Sequence, residues 1–200
     1  MIIGISGNIG VGKTTFCTKL AQCFKDTKKE IEIYHEPVEE NPYLEDFYKN
    51  KVLFAFRSQD FFLKSKYEQY QIIHKQNENK ICIQDRIVDE NTIFAKSLLQ
   101  SGEMTKEDGE KYFKMFNEMK VNITDPDIIL YLRASAETCM KRIKQRGREM
   151  EKSITLEYLE MLNKNYDELI NKLKDEGAKV IILNWDEIQD IKIIYDNLFN

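Results

Sequence analysis

Two hundred residues, 42% hydrophobic and 32% charged, describe one ordinary globular domain, 1–200, with enough chain for a sizeable core. A net charge of −4 supplies no footprint for nucleic acid, and no apolar run approaches the ~20 residues that span a bilayer. Four scattered cysteines form no C-x-x-C pair, and His35 and His74 are too isolated for a zinc set, so free thiols in a reducing, cytoplasmic compartment are expected.

The chain opens on an apolar run, Ile2–Ser6, which reads as a buried strand rather than a signal or transit segment. Directly after it comes Gly7-Asn8-Ile9-Gly10-Val11-Gly12-Lys13-Thr14, the G-x-x-x-x-G-K-[ST] phosphate loop in its proper context. The glycines permit the torsions that turn backbone N–H groups inward, and the helix expected from Lys13 to Phe24 adds its positive end. Lys13 suits the outer phosphates, and Thr14 suits Mg²⁺. With Thr15, these nine residues are the expected ATP-binding set.

Further strands are predicted at Ile31–His35, Ile81–Gln84, Ile128–Leu132 and Val180–Leu183, several of them near-continuous Ile/Val/Leu runs typical of parallel strands covered on both faces. Helices are predicted at Leu53–Lys75, Thr92–Leu99, Lys106–Met119 after a Thr105 cap, Ala136–Gln145, Thr155–Glu176 before Gly177, and Ile188–Leu198. This β-α alternation implies an α/β, five-stranded parallel sheet with helices on both faces, and ligands at the carboxyl ends of its strands.

Those strand ends carry chemistry. Glu36-Pro37 follows the second strand, so Glu36 is expected in the cleft. Asp85-Arg86 follows the third, offering a carboxylate for Mg²⁺ beside a balancing cation. The helix after the fourth ends in Arg142, Arg146 and, past the Gly147 hinge, Arg148, which suit a phosphoryl group in transfer. Each feature alone has an ordinary reading as a cap, a surface ion pair or a solvated helix end; their coincidence on one sheet edge argues for a site.

Five ordered motifs make the chain resemble the deoxyribonucleoside kinase family: Gly7–Thr15, Glu36-Pro37-Val38, Phe54–Lys66 with Gln59-Asp60-Phe61-Phe62-Leu63, Asp85-Arg86, and Arg142–Glu151 followed by Thr155-Leu156-Glu157-Tyr158-Leu159. The resemblance implies a P-loop kinase fold with an arginine-bearing lid at about 142–152, ATP as donor, Mg²⁺, a deoxynucleoside acceptor in nucleotide salvage, and a homodimer. By resemblance, Glu36 is the base on the nucleoside 5′-hydroxyl, Asp85 the metal-linked acid, and Arg86 the arginine supporting both. Gln59 reads the base, with Phe56, Lys66 and Asn91 beside it. Tyr48 and Glu151 hold the sugar 3′-hydroxyl, Arg142, Arg146 and Arg148 serve the lid, and Asp186, Glu187 and Ile188 lie in the loop over the donor adenine.

Three positions depart from the family pattern: Ile87 in place of Ser, Asn91 in place of Asp, and Lys66 in place of Arg. They bear on base choice, since Lys makes no planar bidentate contact, and leave the phosphoryl-transfer residues untouched. A Gln59–Asn91 amide pair favours an adenine-type edge and leaves cytosine and guanine open. The alternatives are a thymidylate-type monophosphate kinase and a non-catalytic regulatory subunit. A carboxylate aimed at the acceptor repels a monophosphate and suits a neutral hydroxyl that must lose a proton.

Overall fold

The computed structural model describes residues 1–25, 27–76 and 80–199. Five parallel strands, β1 (Ile2–Ser6), β2 (Glu30–Tyr34), β3 (Lys80–Asp85), β4 (Ile128–Arg133) and β5 (Val180–Asn184), lie in the order β2-β3-β1-β4-β5. β1 is central, and its register pairs Ile5 with Asp85 on one side and Leu130 on the other. The phosphate loop therefore leaves the middle of the sheet, flanked by the carboxyl ends of β3 and β4.

Strand alternation divides the core. Ile3, Ile5, Ile81, Ile83, Ile128 and Leu130 face a cluster with Phe16 and Leu20 of α1 (Lys13–Cys23) and Ile194 of α8 (Ile191–Phe199). Ile2 and Cys82 face the other way, onto Ile73 of the long α3 (Lys51–Gln76). With both faces covered, the near-continuous aliphatic runs of β1, β3 and β4 follow.

The helices α4 (Glu90–Gln100), α5 (Lys106–Lys120), α6 (Ala136–Arg146) and α7 (Leu156–Asp175) complete the covering layers. Their starts are fixed by polar side chains. Thr105, Ser135 and Thr155 each accept a hydrogen bond from the backbone N–H three residues on. Gly147 ends α6 at φ 70, a left-handed cap that suits glycine.

Several elements differ from the sequence reading for local reasons. A six-residue helix, α2 (Leu44–Lys49), precedes α3, and Asn50 caps the longer helix by accepting from Leu53 N at 3.2 Å. A 3₁₀ turn over Glu149–Ser153 was hidden in the basic run. The last helix starts at Ile191 instead of Ile188, because the Asp190 carboxylate accepts from Lys192 N. β2 ends at Tyr34, so His35 lies in the loop. Apolar residues of α4 and α5 on which a homodimer contact could draw are partly spent within the chain: Ile93, Ala95, Leu98 and Phe116 are buried.

Candidate active site

The phosphate loop is held open by its neighbours. Gly10 sits at φ 78, and a Cβ there would lie 2.6 Å from the Cys139 carbonyl oxygen, so only glycine fits. Asn8 anchors the loop from below, donating from its amide to Leu159 O at 2.9 Å and Asn163 Oδ1 at 2.7 Å on α7. Lys13 is buried and donates to Gly7 O at 2.8 Å and Asn8 O at 3.0 Å. Burial, then the Arg86 charge, lowers its pKa; Asp85, Glu90 and Glu36 act against them. Thr14 Oγ1 donates to Asp85 Oδ2 at 2.5 Å.

Burial pushes the Asp85 carboxyl upward, but His35, Lys13, Thr14 and Arg86 outweigh it and hold the group far below the usual carboxylate range. The group therefore stays ionised. Among the described residues, no three His, Cys, Asp or Glu side chains gather as for an all-protein metal cage. A hydroxyl and one anionic carboxylate beside a phosphate loop match how Mg²⁺ is commonly held, with substrate phosphates and water completing its shell. Thr14 and Asp85 thus fit such an ion.

Arg86 is the structural centre of the site. Its backbone takes φ 76, the one left-handed non-glycine residue among those described, at a cost of roughly 1–2 kcal/mol. Its Nε donates to Glu36 Oε1 at 2.7 Å and its Nη1 to Glu90 Oε2 at 2.7 Å, and the same Nη1 touches the Tyr166 hydroxyl. The guanidinium carbon lies 4.7 Å from the Phe94 ring centre. Burial alone would lower the Arg86 pKa; Glu36, Tyr166, Glu90 and Asp85 hold it well above its ordinary value. The Glu36 side chain remains 21% exposed. It opens onto a cleft of about 600 Å³ shared with Gly10, Gly12, Lys13, Thr14 and Asp85.

The same cleft has apolar walls from Val38, Leu44, Phe47, Phe62, Phe94 and Met150, and carries the amides of Gln59 and Asn91. Asn91 is pinned by a bond from its Nδ2 to Val88 O at 3.0 Å. Tyr48 and Glu151 line the same cleft, as do Arg146 and Arg148. Glu151 is buried and accepts from Arg146 through Nε and Nη2, at 2.7–3.2 Å, with Arg148 Nη1 at 3.5 Å from it. Apolar walls with two amides suit a flat heterocycle, and a phosphate loop beside a carboxylate suits an anionic donor and a neutral acceptor.

Three expected site residues lie elsewhere. Arg142 does not point to the phosphoryl path; its guanidinium donates to Val11 O at 3.0 Å, Trp185 O at 2.8 Å and Asp186 O at 3.1 Å, stitching the phosphate loop to the β5–α8 connection. Lys66, only 2% exposed, sits behind the cleft and donates to Asp85 O at 3.0 Å, so it does not read the base. Phe56 faces away, packing with the Leu63, Tyr70 and Tyr112 cluster under Lys111. The Asp186 carboxylate caps α6, accepting from Ser135 and Thr138, and Glu187 and Ile188 are exposed. Glu90 and Tyr166 support the site without a sequence signal of that role, and His35 and Tyr158, which line the cleft, carry none beyond their places beside Glu36 and in the motif after the lid. Glu90 looks like an ordinary acid at a helix start, and nothing in the pattern singles out Tyr166.

Residues 3–199 match the model of the deoxynucleoside kinase family. The chain belongs to that family. A deoxyadenosine kinase of Dictyostelium discoideum is 37% identical over 94% of this chain and 74% of that protein. A deoxyguanosine kinase of Bacillus subtilis is 34% identical over 92% of this chain and 85% of its own length. The solved deoxyadenosine kinase of M. mycoides with bound dATP superposes with a TM-score of 0.84 at 32% identity, covering 100% of both chains. Another structure of that enzyme, with the product dCMP and a flexible dCDP, gives 0.85 at 32% identity, over 99% of this chain and 98% of that one. The kinase thus phosphorylates a nucleoside on its 5′-hydroxyl, with ATP as donor, which sets aside the monophosphate-kinase and regulatory readings. No described helix of this kinase is long and apolar enough to cross a membrane.

Proposed function

We propose that this kinase converts deoxyadenosine preferentially, and deoxycytidine as a second substrate, to the 5′-monophosphate, with Glu36 receiving the hydroxyl proton. The Glu36 carboxylate, open to the cleft and held by Arg86 opposite the phosphate loop, carries this reading. In the reaction the 5′-oxygen bonds to the γ-phosphorus, its proton passes to Glu36, and the bond from that phosphorus to the bridging oxygen breaks to release ADP. The transition state is loose, so proton loss is late and Glu36 chiefly orients the hydroxyl.

Lys13 exchanges its Gly7 and Asn8 carbonyls for phosphate oxygens. Arg146 and Arg148 leave Glu151 to meet the transferring group, and the freed Glu151 with Tyr48 takes the sugar 3′-hydroxyl. Thr14 and Asp85 would hold Mg²⁺, which when bound neutralises charge on the donor phosphates. The Asp186–Ile188 loop, bound to the phosphate loop through Arg142, receives the donor base.

Gln59 and Asn91 support the base preference. Each amide offers a donor and an acceptor, which meet the amino group and ring nitrogen shared by adenine and cytosine edges. Similarity to enzymes named for deoxyadenosine agrees with it. A cytoplasmic homodimer is part of the proposal, through the partly exposed Phe113, Met115 and Met119. The test is kcat/KM for the four deoxynucleosides and their ribose counterparts with ATP and Mg²⁺. Deoxyadenosine should lead and deoxycytidine follow; thymidine or deoxyguanosine ahead of both would overturn the preference.

A further inference from the structure

Glu90 is fully buried, at 0% exposure, yet its two carboxylate oxygens have separate tasks. Oε1 accepts from Ile87 N at 3.2 Å, three residues back, closing the turn that leads into α4. Oε2 does nothing for α4. It accepts from Arg86 Nη1 at 2.7 Å and from the Tyr166 hydroxyl at 2.7 Å, and Tyr166 also touches Nη1. Arg86 is thus gripped on one side of its guanidinium by a buried acid and a buried phenol, and by Phe94 against its face. Only Nε and the remaining edge address the cleft, where Nε meets Glu36.

An acid that only closed this turn would need one oxygen and no arginine. A buried ion pair that served only stability is commonly matched by apolar packing, whereas one that fixes an arginine in a left-handed backbone has a geometric role. We propose that Glu90, with Tyr166, is a positioning residue for phosphoryl transfer: it locks the Arg86 guanidinium so that Nε sets the rotamer of Glu36 under the acceptor hydroxyl. The inference rests on the reading of Glu36 as the group that receives the 5′-hydroxyl. Neither residue touches the substrate; both act through Arg86. Burial raises the Glu90 carboxyl and the Arg86, Lys13, Tyr166 and Ser6 groups lower it, with burial prevailing, so loss of the arginine contact would leave an unsupported buried acid.

The test is a double-mutant cycle on kcat. Glu90→Gln keeps an oxygen for Ile87 N but turns an amide donor against Nη1 and the Tyr166 hydroxyl. It should lower kcat about 10-fold to 100-fold, a coupling expected for groups in one network, with KM for ATP within about twofold. In a Glu36→Gln background the same change should cost less than about threefold more, because the group it positions is already gone. Tyr166→Phe, which removes one hydroxyl, should lower kcat by a smaller factor with the same loss of effect in that background, and it decides the matter if Glu90→Gln does not fold.

Full activity in Glu90→Gln and Tyr166→Phe, or losses that multiply in the double variants, would overturn the inference and leave Glu36 untouched. Unchanged kcat in Glu36→Gln alone would overturn the Glu36 reading, and this inference with it.

Discussion

Thr14 and Asp85, seventy-one residues apart, meet through a 2.5 Å hydrogen bond at the mouth of the phosphate loop. β1 and β3 are neighbours with Ile5 paired to Asp85, so the register of the sheet sets this contact before any ligand arrives. It follows that Asp85→Asn should raise the Mg²⁺ concentration for half-maximal activity by about tenfold or more, while Thr14→Ser, which keeps the hydroxyl, stays near wild type. Magnesium titrations of initial rate check both. An unchanged magnesium requirement in Asp85→Asn would separate this carboxylate from the metal.

Arg142 leads to a different expectation from its lid neighbours. Its three carbonyl contacts brace the phosphate loop against Trp185 and Asp186. Arg142→Ala should therefore raise KM for ATP by roughly tenfold with kcat within about threefold, the pattern of lost binding that is uniform between ground and transition states. Arg146→Ala should instead lower kcat. Equal kcat losses in the two variants would return Arg142 to the phosphoryl path.

The lid arginines share one acid. Glu151 holds Arg146 by three contacts and Arg148 by one, beyond the Gly147 cap. Glu151→Gln should free both and speed tryptic cleavage after Arg146 and Arg148. An unreactive ATP analogue with deoxynucleoside should slow that cleavage in wild type. Cleavage that ignores both the substitution and the ligands would contradict a closing lid.

Thiol burial gives an alkaline signature. Burial pushes the Cys139 thiol up to about 11, with Lys13 and Arg142 pulling it down and Asp186 adding to the rise. A thiol whose folded pKa is raised stabilises fully below its unfolded value of about 8.5, and that stability is lost as pH rises through about 11. Urea unfolding between pH 8 and 10.5 should fall less steeply in Cys139→Ala than in wild type; parallel slopes would contradict this.

Much of the molecule was legible because its signals are local or periodic. The glycine spacing from Gly7 to Gly12 and the aliphatic runs of β1, β3 and β4 define backbone conformation directly, so the fold and the conformation of the phosphate loop followed. What failed was orientation. Arg142 and Arg146 share a helix face, yet one turns to the β5–α8 connection and the other to Glu151, a choice made by Gly147 and the 3₁₀ turn beyond it. Lys66 and Phe56 sit on α3 at plausible positions, but the helix phase aims Lys66 behind Asp85 and Phe56 into the α5 side. The Glu90–Arg86–Tyr166 contact joins residues eighty positions apart and has no sequence signature.

Everything in the proposed chemistry passes through one carboxylate, so the most direct measurement is kcat of Glu36→Gln beside KM for ATP, with deoxyadenosine as acceptor. kcat should fall roughly 10²- to 10⁴-fold with KM for ATP nearly unchanged. Turnover close to wild type would contradict it.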